Sequence, residues 1–277
     1  MSTLRKQMIQ QMQLENYSPK TIQNYISAIS LLASFYHTPA DQLTIVQIRD
    51  YILIHINEKK RSIAWMNIRI SAVKFLFCEV LKREWNKIDL PRPRRVYKKP
   101  VVLSKKEVRQ IIISTSNIKH KAILMLAYSG GLRISEICHL KIKDIDSGRM
   151  LIHVKMAKGN KDRYTILSPV ALALLRDYYR KYRPKEWLFE SNHIGPLSRR
   201  TMEEVFKQAV IKSNISKHVS FHSLRHSFAT HLVEQGVALP IIQQMMGHQS
   251  LRTTSGYLHV QEYSVQGVKS PLDALSI

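Results

Sequence analysis

Six side chains in this 277-residue sequence have the types and surroundings that phosphoryl chemistry needs: Arg133, Lys158, His222, Arg225, His248 and Tyr257. Arg133 follows the Gly130-Gly131 turn at a helix start. Glycine there lets backbone approach a ligand, and a helix N-terminus favours phosphate. Lys158 stands beside Gly159-Asn160, at the tip of a hairpin from which a long side chain projects. His222 and Arg225 are three apart on one helix, so both point to one side. His248 follows Gly247, after an apolar helix ending in Met245-Met246, and Tyr257 lies nine residues further on. Taken singly, such residues are ordinarily surface groups or hydrogen-bonded structural ones. As a set they answer one problem. A phosphodiester in transfer carries charge on its non-bridging oxygens, and two arginines each offer them a bidentate fork. A lysine can protonate a departing 5′-oxygen, and a histidine can take or relay the proton of an attacking tyrosine. A tyrosyl intermediate conserves the bond energy, so no cofactor is required. Free tyrosine has a pKa near 10, so nearby cations must favour its attacking form.

Other chemistries fit less well. His222 and His226 are four apart and share a helix face, as zinc ligands do. The intervening Ser223-Leu224-Arg225 lacks the glutamate of the helical zinc-hydrolase motif and puts a guanidinium beside the cation. Neither cysteine, Cys78 or Cys138, belongs to a paired-ligand spacing, and no metal is expected. Lys158-Gly159-Asn160-Lys161 has one glycine and is no phosphate-binding Walker loop, so ATP use is not expected. The carboxylates do not cluster as in a two-metal nuclease.

Two sets of elements must position these groups. Residues 1–90 read as a four-helix domain. After the opening segment, Ser18-Pro19 starts a helix with Ile22, Tyr25, Ile26, Ile29, Leu32 and Ala33 at helical spacing. Thr44 caps a third helix carrying Ile48, Ile52 and Ile56. Ser62 caps a fourth whose stripe Ile63, Met66, Ile70, Val73, Phe77, Val80 and Leu81 reads as core. Residues 91–102 form a basic, proline-rich linker. Pro91, Pro93 and Pro100 stiffen it, and Arg92, Arg94, Arg95, Lys98 and Lys99 suit contact with a nucleic-acid backbone. Residues 103–277 form the second domain. A capping box, Ser104 to Glu107, opens it. A helix over 118–128 ends at Gly130-Gly131, and another from Ile134 carries Glu136 and Leu140. The alternation over 150–167 predicts a β-hairpin, and helices follow near 169–182, 198–213, 222–235 and 238–246. The fold class expected is mainly α with a small β-sheet (α+β).

Composition narrows the partner. Lysine and arginine number 43 against 20 acidic residues, a formal net charge of +23. The surplus is shared: residues 1–100 carry 17 basic and 7 acidic residues, net +10, and residues 101–277 carry net +13. Two basic domains joined by a basic strap suggest a clamp around double-stranded DNA. A solvated basic surface is the plain alternative. Membrane binding fits less well, because no basic amphipathic helix dominates. No run of about 18 apolar residues is present, the start lacks the apolar block of a signal peptide, and two cysteines build no disulfide framework. A cytoplasmic protein is the expectation.

Five segments stand in order: Gly131-Leu132-Arg133-Ile134-Ser135-Glu136, Lys158-Gly159-Asn160-Lys161, His222-Ser223-Leu224-Arg225-His226-Ser227-Phe228-Ala229-Thr230-His231, Gly247-His248 and Thr253-Thr254-Ser255-Gly256-Tyr257. Together they resemble the tyrosine recombinase, or phage integrase, family. The resemblance spans the catalytic half. The helical N-terminal half, from Tyr17-Ser18-Pro19-Lys20-Thr21, is similar to that family's SAM-like core DNA-binding domain. The resemblance implies that Arg133 and Arg225 bind the scissile phosphate and that Lys158 is general acid to the leaving 5′-hydroxyl. It implies that His222 exchanges the nucleophile's proton and that His248 hydrogen-bonds the phosphate. Tyr257 is then the nucleophile of a 3′-phosphotyrosyl link, and Glu136 orients its neighbours.

It implies site-specific recombination of DNA by four protomers on two duplexes, with a second recombinase as a possible companion. A type IB topoisomerase-like enzyme and a non-catalytic DNA-binding regulator are the alternatives. Length and layout are similar to Xer enzymes, whereas Gly267-Val268-Lys269-Ser270-Pro271-Leu272-Asp273 resembles the tail of integron integrases. The extra segment that integron integrases carry before the His222 helix is missing. A mobile-element recombinase near both groups is the expectation. Val265, Val268, Leu272 and Leu275 suit either docking on a neighbouring protomer or covering the chain's own core.

Overall fold

The computed structural model describes residues 3–84, 90–93, 100–157, 161–191, 195–247 and 254–255. The chain divides into two compact units, Met1–Tyr97 and Lys98–Ile277. Among the described residues no helix is long and apolar enough to cross a membrane.

The first unit is built from α1 (Thr3–Leu14), α2 (Pro19–Tyr36), α3 (Ile45–Asn57) and α4 (Ile63–Phe75), the last running on as a π-helical turn over Leu76–Val80. Local chemistry sets the starts. The Ser18 hydroxyl accepts from the Thr21 amide with Pro19 in the first turn, Thr44 and Gln47 form a reciprocal capping box, and Ser62 accepts from the Trp65 amide. The apolar stripes then close one core of Met8, Met12, Ile29, Leu32, Ile48, Ile52, Ile70, Val73 and Phe77. Ile63 departs from the expected stripe. It is 41% exposed, because the first turn of α4 overhangs the core that later turns enter. Leu90 is buried against this core, and Arg92 donates to the Ser71 hydroxyl at 3.1 Å.

The second unit runs α5 (Lys105–Ile113), α6 (Ile118–Ser129), α7 (Ile134–Cys138), a 3-10 turn (Ile142–Asp144), β1 (Ile145–Asp146), β2 (Leu151–Ala157), β3 (Lys161–Ile166), α8 (Pro169–Tyr182), α9 (Arg199–Lys212), α10 (Phe221–Glu234) and α11 (Leu239–Met246). Ser104 and Glu107 make the expected capping box at α5. α6 buries Ala122, Ile123, Leu124, Leu126 and Ala127. It packs against α8, α9 and α10, which explains why it is apolar all round from Ala122 to Ala127. α10 is buried along almost its whole length and also packs on α11. Leu103 tucks the start of the unit into the core, its amide donating to the Ser227 hydroxyl at 2.8 Å.

Two local details depart from expectation. The helix from Ile134 ends at Cys138, so Leu140 lies beyond it. Asp144 accepts from the Lys141 amide at 2.9 Å and starts a separate turn there, and Leu140 is held by its carbonyl, which accepts from Leu188 at 2.7 Å. The sheet is antiparallel in the order β1-β2-β3, pairing Ile152 with Thr165, His153 with Tyr164 and Val154 with Arg163. Ile152 and Val154 of β2 face the core, so their partners Arg163 and Thr165 do too, while Tyr164 and Ile166 are exposed. In β3 the apolar and polar faces are thus exchanged.

Candidate active site

The site begins where α6 stops. Gly130 closes that helix, and Gly131 takes φ +59, the left-handed region. A Cβ on Gly131 would lie 2.3 Å from the Phe228 ring of α10, so the turn needs glycine for space as well as for conformation. Two residues on, Arg133 is the N-cap of α7. Its amide donates to Glu136 Oε2 at 2.7 Å and its guanidinium to Glu136 Oε1 at 2.8 Å. The Glu136 carboxylate thus caps this helix start, and the Arg133 side chain, 21% exposed, is the cation of this turn.

Glu136 gathers two more arginines. Arg163, on the inward face of β3, clasps it as a bidentate fork at 2.8 and 2.9 Å. Arg225, from α10 and 1% exposed, lies 3.8 Å from its Oε2. Burial pushes the Glu136 carboxyl up, but the Arg163 fork, the Arg133 amide and the Arg225 charge outweigh it and hold the group at about 2. It is therefore an anion at any physiological pH, an acceptor rather than an acid.

The same arginines grip the end of α11. Arg163 Nε donates to the Met245 carbonyl at 2.7 Å, Arg225 to the Met246 carbonyl, and Arg133 to the Gly247 carbonyl at 3.4 Å. Arg225 also donates to the Gly131 carbonyl at 2.6 Å. A helix C-terminus presents unpaired carbonyls with partial negative charge, and cations there satisfy both needs. Gly247 closes α11 at φ +60, and a Cβ on it would come within 2.8 Å of Arg163 Cδ.

His222 and His226 occupy successive turns of α10, their rings 4.6 Å apart and edge to face. His222 opens to solvent, yet the protein around it displaces enough water to lower its basicity. The Arg225 and Arg133 charges lower it further, against a smaller pull from Glu136. His226 is brought to about 4 by burial, His222 and Arg225 in that order. Both imidazoles are neutral at pH 7. His222 can accept a proton there, and a neighbouring guanidinium disfavours a metal ion at the pair. Among the described residues no three His, Cys, Asp or Glu side chains form a metal-holding group. His231 is elsewhere engaged, its Nδ1 2.9 Å from the Tyr128 hydroxyl.

The structure thus brings Arg133, His222 and Arg225 together around Glu136. Lys158, His248, Tyr257 and the linker cations Arg94, Arg95, Lys98 and Lys99 lie outside the described residues; Arg92 belongs to the first unit. Sequence reasoning missed Arg163. Its one signal was an arginine in register with the inward residues of a hairpin, and the apolar Tyr164 and Ile166 beside it pointed to the opposite face.

Residues 101–263 match the model of the phage integrase family, and residues 4–87 match that of the phage integrase N-terminal SAM-like domain. The chain belongs to the phage integrase family. It is 42% identical over 277 residues to y4qK of Sinorhizobium fredii, assigned as an integrase/recombinase, covering 99% of this chain and 90% of that one. It is 33% identical over 257 residues to tyrosine recombinase XerA of Pyrococcus horikoshii, covering 90% and 86%. The crystal structure of a XerA recombinase superposes with a TM-score of 0.56 at 29% identity over 95% of each chain. A lambda integrase dimer bound to a COC′ core site shares the fold, with a TM-score of 0.72 at 22% identity over 92% and 76%. The protein is a tyrosine recombinase of Xer-like type, mostly helical with a three-stranded antiparallel sheet, and its activity is site-specific recombination.

Proposed function

We propose that this recombinase cuts and rejoins double-stranded DNA through a 3′-phosphotyrosyl link on Tyr257, with no metal or nucleotide cofactor. The observation that carries the reading is the meeting of Arg133 and Arg225, 92 positions apart, on one buried carboxylate, with a neutral His222 beside them. In the proposed step the Tyr257 hydroxyl oxygen attacks the scissile phosphorus, and the P–O5′ bond breaks. His222 takes the tyrosyl proton, and Lys158 gives one to the leaving 5′-oxygen. Arg133 and Arg225 stabilise the charge on the non-bridging oxygens, and His248 adds a hydrogen bond. Attack by a 5′-hydroxyl of a second strand reverses the sequence and completes the exchange.

We assign residues 1–90 as the core DNA-binding domain, 91–102 as a basic linker whose Arg92, Arg94, Arg95, Lys98 and Lys99 meet the DNA backbone, and 103–277 as the catalytic domain. The acting species is a tetramer on two duplexes, in the cytoplasm where chromosome and mobile elements lie. Relatives described as recombinases, and solved relatives described as DNA-bound, support this reading. The test is covalent capture. The protein is incubated with fragments of the DNA flanking its own gene, denatured in detergent, and the attached DNA is sequenced. Wild type is expected to yield adducts at one site, and Tyr257→Phe none. Adducts that persist in Tyr257→Phe would overturn the nucleophile assignment.

A further inference from the structure

Arg163 lies on a strand that supplies none of the proposed phosphate ligands, yet it touches Glu136 and the end of α11, both of which also hold Arg133 and Arg225. Its two terminal nitrogens take both oxygens of Glu136, and its Nε takes the Met245 carbonyl at the end of α11. Its side chain is 6% exposed, as is that of Glu136, so neither group trades these partners for water. Packing fixes it as well, since Gly247 leaves room for its Cδ and no more. We infer that Arg163 is a positioning residue of the strand-transfer reaction. It aims Arg133 and Arg225 through Glu136, and it pins the C-terminal end of α11 at the Met245 carbonyl.

The physical argument is one of competition. Glu136 is buried and faces Arg133 at its own helix start, Arg163 from β3, and Arg225 and His222 from α10. With Arg163 in place, its fork satisfies one lone pair on each carboxylate oxygen. Remove it, and the carboxylate draws on Arg133 and Arg225 for the missing donors, the same guanidiniums that the phosphate needs. A carboxylate that has lost its fork also accepts a proton more readily. The inference rests on the proposed phosphotyrosyl chemistry.

The test compares wild type, Arg163→Lys and Arg163→Met on the DNA fragment that wild type captures. It measures folding by thermal melt, affinity for the fragment, and adduct formation at saturating DNA from pH 5 to 8. Arg163→Met is expected to bind within about threefold of wild type yet form adduct about 100-fold more slowly, the scale of a small misplacement of reacting groups. Arg163→Lys, with the charge but not the fork, is expected to recover only part of the rate. The acid limb of the rate profile is expected to move to higher pH in Arg163→Met. If Met at this site prevents folding, the folded Arg163→Lys carries the comparison. A variant that binds and reacts at wild-type rates overturns the inference. So does a slowed variant with a wild-type pH profile whose rate loss equals its loss of folded protein. Absence of adduct from wild type would instead overturn the proposed chemistry, and the inference with it.

Discussion

At the scale of residues, the site separates charge that must persist from charge that must be absent. Glu136 is ionised down to about 2 when folded, against an ordinary 4.5. Between those values the unfolded chain binds the extra proton, so this carboxylate adds stability above about 4.5 that is lost as pH falls toward 2. His226 runs the other way in charge and the same way in pH. Folded, it stays neutral down to about 4 against an ordinary 6.5, so protons favour the unfolded chain as pH falls through that range. Acid is therefore expected to weaken the catalytic unit in two stages, the histidine stage first. Melting temperature measured every half pH unit should fall from 6.5 to 4 in wild type and more gently in His226→Gln. Identical slopes over that range would mean that another group carries the stage. Arg133, His222 and Arg225 were legible as a set because their neighbours, a Gly-Gly turn and a three-residue helical spacing, are local in sequence. Arg163 was not, because its reason for burial is Glu136, 27 positions away, and only the packing of the sheet against α7 brings the two together.

At the scale of elements, starts were legible and faces were not always. Ser18, Thr44, Ser62 and Ser104 cap the helices expected of them, because a cap depends on the next three residues alone. β3 reversed its reading because Thr165 and Arg163 are satisfied inside, Thr165 by the Gly130 carbonyl at 2.9 Å and Arg163 by Glu136, while Tyr164 stacks on His153 outside. The turn between α6 and α7 makes a sharp comparison between adjacent glycines. Gly131 is left-handed and would drive a Cβ to 2.3 Å from Phe228. Gly130 has φ −106 and would meet Ile152 at 3.2 Å. Gly131→Ala is expected to cost roughly 2–6 kcal/mol, from backbone strain and overpacking together. Gly130→Ala, free of the strain but tight against Ile152 and the Leu126 carbonyl, is expected to cost about 1–3 kcal/mol, the lower of the two. Urea unfolding of the two variants checks this, and equal costs would show that the turn relaxes where its packing against α10 says it cannot.

At the scale of the whole molecule, the question is which of the 43 basic residues meet phosphate. A net charge of +23 attracts DNA from any direction, but only charges that displace condensed counterions set the salt dependence of binding. The linker concentrates Arg92, Arg94, Arg95, Lys98 and Lys99 within eight positions, and its prolines spare it much of the entropy of ordering on a backbone. The Arg92 contact with the Ser71 hydroxyl leaves its charge unneutralised. Replacing all five with glutamine lowers the net charge to +18. At one counterion contact each, it should flatten the slope of log affinity against log salt by about 4.5. A control changes Arg176, Arg180, Lys181, Arg183 and Lys185, all exposed along and just after α8, and lowers the net charge equally. If contact matters, the linker variant loses slope and the control keeps most of it. If the field of the whole molecule matters, the two variants lose alike. Adduct formation at saturating DNA should match wild type in the linker variant, because Arg133, Glu136, Arg163 and Arg225 are built without the linker. A slowed reaction at saturation would mean instead that the strap sets how DNA is presented to the site, and its five cations would then belong to catalysis as well as to binding.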